Sequence, residues 1–397
     1  MERTLFITNR NMLTACGEMR LIKNRAEMLY KYGNIRTDFI VINSNARFDS
    51  ATRESIENAG EIVECGYKSK AFIMKSVWQA GKEIERKLRT GKYSTVILSG
   101  TMVYRFASDI KHRYKNIKIL LDIHGASEDM LEIAANSKWV KRYALRALYQ
   151  YEVKYLGKAV GYCDGFLVVT EELQKYLVEK YPDIKGKKIY RVPCACNQGV
   201  LSQDVYSRFR EKYRKKYGIT DEIVFLYSGG VSNWQCVDEA INLYKQIDKT
   251  LEKKTKMLIF SYKAEKIKSL IGEDKRFLLD SYTPDELGKA LCAGDFALLL
   301  RKKSLTNQVA FPNKFLEYAA GGMKIITTPY VKEVANQVRR FNLGYIYDFH
   351  FDKKIVEYIE NTKISYDRNL IENVLNYNSY EQCLRKLIQD ITKKEYK

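Results

Sequence analysis

Two series of apolar runs, each alternating with amphipathic helical patterns, most constrain what this chain can fold into. Val96-Ile97-Leu98 and Phe166-Leu167-Val168-Val169 have no polar interruption, as a strand requires when helices cover both faces of its sheet. In the first series the expected strands are residues 5–8, 38–42, 95–98, 117–122 and 165–170, with helices over 22–30 and 71–88. The series then restarts, with strands at 223–227, 257–260, 277–279, 296–300 and 325–327 and helices at 237–247, 284–291 and 312–320. Such alternation gives parallel strands joined by crossover helices. The reading is two doubly wound, Rossmann-like α/β domains, 1–199 and 200–378, hinged in the weakly patterned stretch 193–203. A basic amphipathic helix at 205–217 follows the hinge, and a final helix over 379–391 lies in the closing segment, 379–397. Length agrees, since 397 residues exceed what one core usually serves.

An apolar share of 46% with 12% aromatics suffices for packed cores and excludes a disordered chain. No apolar run reaches the roughly 18 residues of a membrane-spanning helix. Met1-Glu2-Arg3 leads straight into the first strand rather than into a secretory signal, so the expected location is the cytoplasm. Eight scattered cysteines, with Cys194-x-Cys196 the one close pair, and three histidines fit no zinc pattern. Reduced, mostly buried thiols and no bound metal are expected. Charge is the outlier. Sixty-eight Lys+Arg against 48 Asp+Glu leave a net +20, which suits either anionic partners or a solvated Lys-rich surface.

Ligands of open parallel sheets bind outside the C-terminal ends of the strands, so residues there are the functional candidates. The stretch from Asn307 to Gly322 reads NQVAFPNKFLEYAAGG. A loop here feeds a helix whose first N–H groups suit an anion. Lys314 and Glu317, three apart, share one helix face. The cation suits a diphosphate, and the carboxylate one turn on suits the two hydroxyls of a ribose. As spacing alone, the same pair is also a surface ion pair. Tyr227-Ser-Gly229-Gly230 follows the first strand of the second series, where glycines let backbone approach a phosphate. Leu121-Asp-Ile-His124-Gly125 ends a first-series strand, and Arg301 ends the strand 296–300. The glycine turn and His124 are each either site residues or structural ones, and Arg301 is either a site residue or a surface residue of the Arg301-Lys302-Lys303 run.

The 307–322 stretch, with the strand-like Lys324-Ile-Ile-Thr-Thr-Pro329 after it, resembles the donor-binding signature of the retaining glycosyltransferases of family 4. The resemblance implies the GT-B architecture, with two Rossmann-like domains facing across a cleft and a C-terminal helix crossing back to the first. It implies transfer of a sugar, with retention, from a UDP- or GDP-linked donor to a glycan or lipid-linked acceptor in cell-surface polysaccharide synthesis. No metal is implied, and no Asp-x-Asp pair stands in a strand-end loop. On this resemblance Gly229, Gly230, Lys314, Glu317 and Gly17 bind the donor, while His124, Arg301 and Lys314 serve catalysis.

The chain also departs from the family. The earlier of two glutamates eight apart is Val309 here, and the family's Arg and Lys after the glycine turn fall on Gly230 and Gln235. Arg301 and Lys314 are then the substitutes that would meet the diphosphate. Val309 keeps open a second reading, a non-catalytic GT-B module partnering an active transferase. A third, a basic membrane or nucleic-acid binder, rests on two cationic aromatic stretches, 104–118 and 139–158. They suit an anionic membrane face or are helices packed on the sheet; no nucleic-acid motif accompanies them.

Overall fold

The computed structural model describes residues 2–10, 12, 17–44, 54, 60–67, 73–193 and 199–392. The chain forms two units, Met1–Pro193 with Ser379–Lys397, and Cys194–Asn378. Residues 194–198 of the expected hinge, Cys194 and Cys196 among them, lie outside the described residues.

Unit 1 runs β1 (Arg3–Thr8), α1 (Gly17–Gly33), β2 (Arg36–Ser44), β3 (Ile62–Tyr67), α2 (Ile73–Leu88), β4 (Thr95–Ser99), α3 (Phe106–Arg113) and β5 (Lys118–Ile123). It continues through α4 (Asp129–Ala135), α5 (Trp139–Tyr162), β6 (Gly165–Val168), α6 (Glu171–Lys180) and β7 (Lys188–Arg191). The strands form one parallel sheet in the order β3-β2-β1-β4-β5-β6-β7. Every residue of β4 and β6 is buried, as their unbroken apolar runs require. The strand expected over 165–170 stops at Val168 because the Thr170 hydroxyl accepts from Leu173 N at 3.0 Å and caps α6 instead.

Unit 2 opens with α7 (Gln203–Lys216), β8 (Ile223–Ser228), α8 (Val237–Thr250), β9 (Thr255–Phe260), α9 (Ala264–Ile271), β10 (Phe277–Asp280), α10 (Pro284–Leu291) and β11 (Phe296–Leu299). Then come α11 (Leu305–Val309), α12 (Asn313–Ala320), β12 (Lys324–Thr327), α13 (Lys332–Arg340), β13 (Gly344–Ile346), α14 (Lys353–Asn361) and α15 (Arg368–Tyr377). Its parallel sheet has the order β10-β9-β8-β11-β12-β13. Alternate residues feed two cores. Val224, Leu226 and Leu299 meet Phe315 and Leu316 on one face, while Phe225, Tyr227 and Leu298 meet Ile241 and Tyr244 on the other. The basic helix expected at 205–217 is α7, and its cations are partly structural. Arg210 and Arg214 pair with the buried Asp295, whose Oδ2 also accepts from Val224 N at 2.7 Å.

The last helix, α16 (Tyr380–Thr392), belongs to unit 1. It buries Leu384, Leu387, Ile388 and Ile391, each contributing about 1.5–3 kcal/mol. Asp390 accepts from Tyr190 at 2.6 Å and pairs with Lys188, both on β7. Leu384→Asp would detach this helix.

Three strands, β3, β7 and β13, were not expected from sequence. All are sheet edges, and β7 and β13 are half-exposed, so neither carries the apolar run that marks a covered strand. Among the described residues, Cys65, Cys163, Cys236 and Cys292 are free and buried.

Candidate functional site

In each sheet the strand order reverses once, between β8 and β11 in unit 2 and between β1 and β4 in unit 1. Connections leave in opposite directions there, so the crevice at those C-terminal ends is where a doubly wound sheet takes a ligand.

In unit 2 the crevice holds the sequence-derived candidates. Gly229 follows β8 with φ of +147°, a conformation open to glycine and strained for other residues. A Cβ at Gly229 would stand 2.5 Å from Lys314 Cε and 2.6 Å from its Nζ. The missing side chain is therefore what lets Lys314 lie across the turn. The Gly229 N–H donates to Phe260 O at 2.9 Å; it serves the sheet, not a phosphate, which corrects the expectation for this glycine. A Cβ on Gly230 would press on Gln235 Oε1 at 2.6 Å, and its carbonyl accepts from Tyr227 at 2.6 Å. Both glycines thus make room for a side chain from a neighbouring element.

Helix α12 begins at Asn313 with Pro312 as its cap residue, one position later than expected. Phe315, Leu316, Tyr318, Ala319 and Ala320 face the core, leaving Lys314 and Glu317 together on the half-buried side. Tyr318 registers this helix against the glycine turn. Fully buried, its hydroxyl accepts from Ser228 N at 2.8 Å and lies 3.3 Å from Ser228 O. Burial pushes the phenol well above its usual range.

Arg301 lies just past β11 and is only 6% exposed. Its backbone brackets Thr328, with N–H to the hydroxyl at 3.1 Å and the hydroxyl back to Arg301 O at 2.7 Å. Its Nη1 donates to Gln235 O at 3.3 Å and to Leu300 O at 2.8 Å. Among the described residues no carboxylate pairs with it. Burial lowers its pKa, with the phenol of Tyr227, the Cys236 thiol and the Tyr318 phenol working the other way. The reading of Arg301 as a surface residue of the Arg301-Lys302-Lys303 run is thereby excluded. Lys302 and Lys303 are the exposed members, and Lys302 pairs with Glu239 at 2.5 Å. Val309, at the end of α11, is 2% exposed.

In unit 1, His124 follows β5 and is less an isolated candidate than part of a buried network. Its Nε2 is 2.7 Å from Asp122 Oδ2. Asp122 is also ion-paired with Arg25 of α1, whose Nη2 donates to Val192 O at 3.1 Å. Burial, then the charges of Arg10 and Arg25, push the imidazole well below its usual range. His124 is therefore neutral at physiological pH, and with Asp122 beside it Nε2 carries the proton. Gly17 opens α1 and is exposed; residues 13–16 lie outside the described residues.

Beside it stands a cluster that no local motif marked. Arg10, past β1, pairs with Glu18 at 2.6 Å. Asn9 accepts from Met102 N at 3.0 Å and would collide with any Cβ on Gly100, whose φ is +114°. Glu152 of α5 accepts from Ser127 at 2.8 Å and from Thr101. Burial, then Glu152, raises the Asp129 carboxyl to about 6. The cluster joins residues from five segments. Its one sequence signal is position, since Asn9-Arg10 directly follows the strand expected over 5–8 and Gly100 stands two residues past the one expected over 95–98.

No family model matches the sequence, and no curated protein matches it. Solved structures do. A glycosyltransferase from Rickettsia africae superposes with a TM-score of 0.68 at 14% identity, covering 99% of both chains. HepE from Anabaena, solved in complex with UDP-glucose, gives 0.66 at 11%, covering 99% of both chains. WaaG, a glycosyltransferase of lipopolysaccharide biosynthesis, gives 0.64 at 14%, covering 98% of this chain and all of that one. The fold is that of the GT-B glycosyltransferases.

Proposed function

We propose that this chain is a glycosyltransferase that moves a sugar from a UDP- or GDP-linked donor to a glycan or lipid-linked acceptor, with retention, in cell-surface polysaccharide or glycoconjugate synthesis. The observation that carries the reading is Arg301, a buried cation with no carboxylate partner among the described residues, at the switch point of the unit 2 sheet. Burying an uncompensated charge costs several kcal/mol, and an anionic ligand offsets that cost. In this reading the diphosphate lies against Arg301, Lys314 and the N-terminus of α12, and Glu317, one turn further, accepts the ribose hydroxyls. When the bond between the sugar and the diphosphate breaks, the leaving group gains negative charge, which these fixed positive groups stabilise. Neutral His124 supplies no charge and instead accepts, through Nδ1, a hydrogen bond from a sugar hydroxyl. The carboxylates of Glu18, Asp129 and Glu152 are suited to acceptor hydroxyls. The work is placed in the cytoplasm, at the inner face of a membrane when the acceptor is lipid-linked.

Val309 supports a second reading. With an apolar, buried side chain where a glutamate contact to the sugar is expected, the chain binds a sugar nucleotide without turning it over. Release of nucleoside diphosphate from UDP- and GDP-hexoses by the purified protein decides. Release that disappears in Arg301→Gln supports the transferase; tight nucleotide binding without release supports the non-catalytic module.

A further inference from the structure

The first cationic aromatic stretch is absorbed by the fold. Lys111 pairs with Asp164 at 2.8 Å, Arg113 pairs with Glu85 at 2.8 Å, and Lys118 donates to the Asp390 carbonyl. The second is not. Helix α5 buries Glu152, Leu156, Ala159 and Val160 in its C-terminal half. Residues 139–147 are exposed save for half-buried Leu145. Trp139 is 72% exposed, Val140 61% and Tyr143 66%, and their spacing sets them on one side of the helix. Between Ile133 and Tyr151 stand Lys138, Lys141, Arg142 and Arg146, and no carboxylate. Arg142 reaches back to the carbonyls of Ala134, Ala135 and Ser137 at 3.3–3.4 Å, bracing the turn from α4.

A second apolar patch sharpens the contrast. Met74, Val77, Trp78, Phe106 and Ile110 line an open groove of about 440 Å³ between α2 and α3. There Lys82 lies 3.6 Å from the centre of the Trp78 ring, and Glu85 and Asp109 stand among Lys82, Arg105 and Arg113. Of these two patches, the α5 tip is the one whose bare apolar surface stands among cations with no carboxylate in its own stretch of chain.

We propose that this tip is the surface through which the chain lies on an anionic lipid bilayer. Trp139, Val140 and Tyr143 enter the boundary between headgroups and acyl chains, while Lys138, Lys141, Arg142 and Arg146 meet lipid phosphates. A nucleic-acid backbone offers nothing to the aliphatic side chain of Val140. A symmetric contact with a second copy would bring like charges face to face. The proposal deepens the membrane part of the function above but does not need the transfer reaction, because vesicle binding and nucleotide binding are read separately.

The test is co-sedimentation with vesicles of phosphatidylcholine, alone or with one-third phosphatidylglycerol, using the full chain. Trp78→Phe with Trp234→Phe leaves Trp139 as the sole reporter among three tryptophans. Binding should require the anionic lipid, fade with salt and shift Trp139 emission to the blue. Lys138→Gln with Lys141→Gln should weaken partition roughly twenty-five-fold, at about five-fold per cation. Trp139→Ser with Tyr143→Ser should weaken it about ten-fold or more. Both pairs should keep the wild-type melting temperature and nucleotide affinity, since the side chains are exposed. Equal binding to neutral vesicles, unshifted Trp139 emission or unaffected variants would overturn the proposal. So would RNA binding or self-association that needs the tip while vesicles stay unbound. Nucleotide binding without vesicle binding removes the membrane surface and leaves the transferase; the reverse removes the transferase and leaves the surface.

Discussion

Gly229→Ala separates what the glycine turn does for stability from what it does for binding. The new methyl meets Lys314 at 2.5–2.6 Å, but those atoms end a flexible side chain that can swing away. The stability cost is therefore mainly backbone strain at φ of +147°, about 1–3 kcal/mol. The displaced ammonium no longer lies over the turn, and a charge-assisted bond to phosphate is worth about 1.5–3 kcal/mol. Nucleoside-diphosphate affinity should fall roughly ten- to hundred-fold. Lys314→Met should lose the same affinity without the strain. In the double variant the affinity losses should not add, because one contact has been removed twice. Calorimetric titration and denaturant unfolding of all four proteins give both cycles. Additive affinity losses, or Gly229→Ala that unfolds more easily yet binds normally, would refute a shared role for Gly229 and Lys314.

Two further expectations concern unit 1. Because the Asp129 carboxyl is raised to about 6, its folded form keeps a proton that the unfolded chain loses near 4. Its contribution to stability thus falls as pH rises from about 4 to 6 and stays lost above, and Asp129→Asn should gain about 1–2 kcal/mol over wild type at pH 7.5 and nothing near pH 4. A pH-independent difference in unfolding free energy would contradict this. His124→Ala loses a 2.7 Å bond to Asp122 and should cost about 1–3 kcal/mol, less than the roughly 3–5 kcal/mol of Asp122→Asn, which strands the buried Arg25. The His124 ring should show no protonation between pH 8 and 6 by NMR, and an ordinary titration there would remove the neutral imidazole from the mechanism.

The strands that could be read in advance are those covered on both faces. β4 and β6 announce themselves because no solvent-facing residue breaks the run. The edges β7 and β13 are only three or four residues long and mostly half-exposed, too little to stand out from loops. The site divides along the same line. Gly229, Lys314 and Glu317 were legible because one loop and one helix carry them at fixed spacing. The status of Arg301 was not, since a cation heading an Arg-Lys-Lys run looks solvated until the Thr328 bracket and the Gln235 carbonyl bury it. The network of His124, Asp122 and Arg25 joins α1 to β5 across about a hundred residues, and a pairing so distant leaves no local pattern. The glycine turn was found for the wrong reason in part. The Gly229 N–H is committed to Phe260, and the position needs glycine for Lys314 instead.

The central claim is that the buried charge of Arg301 is there for a diphosphate. Calorimetric titration of UDP and GDP into the wild-type chain and into Arg301→Gln tests it most directly, with circular dichroism confirming that both are folded. The account expects micromolar binding of at least one nucleotide by the wild type and a loss of about ten-fold or more in the variant, the worth of a charge-assisted bond. No binding of either nucleotide by the wild type, or undiminished binding by the variant, would contradict it.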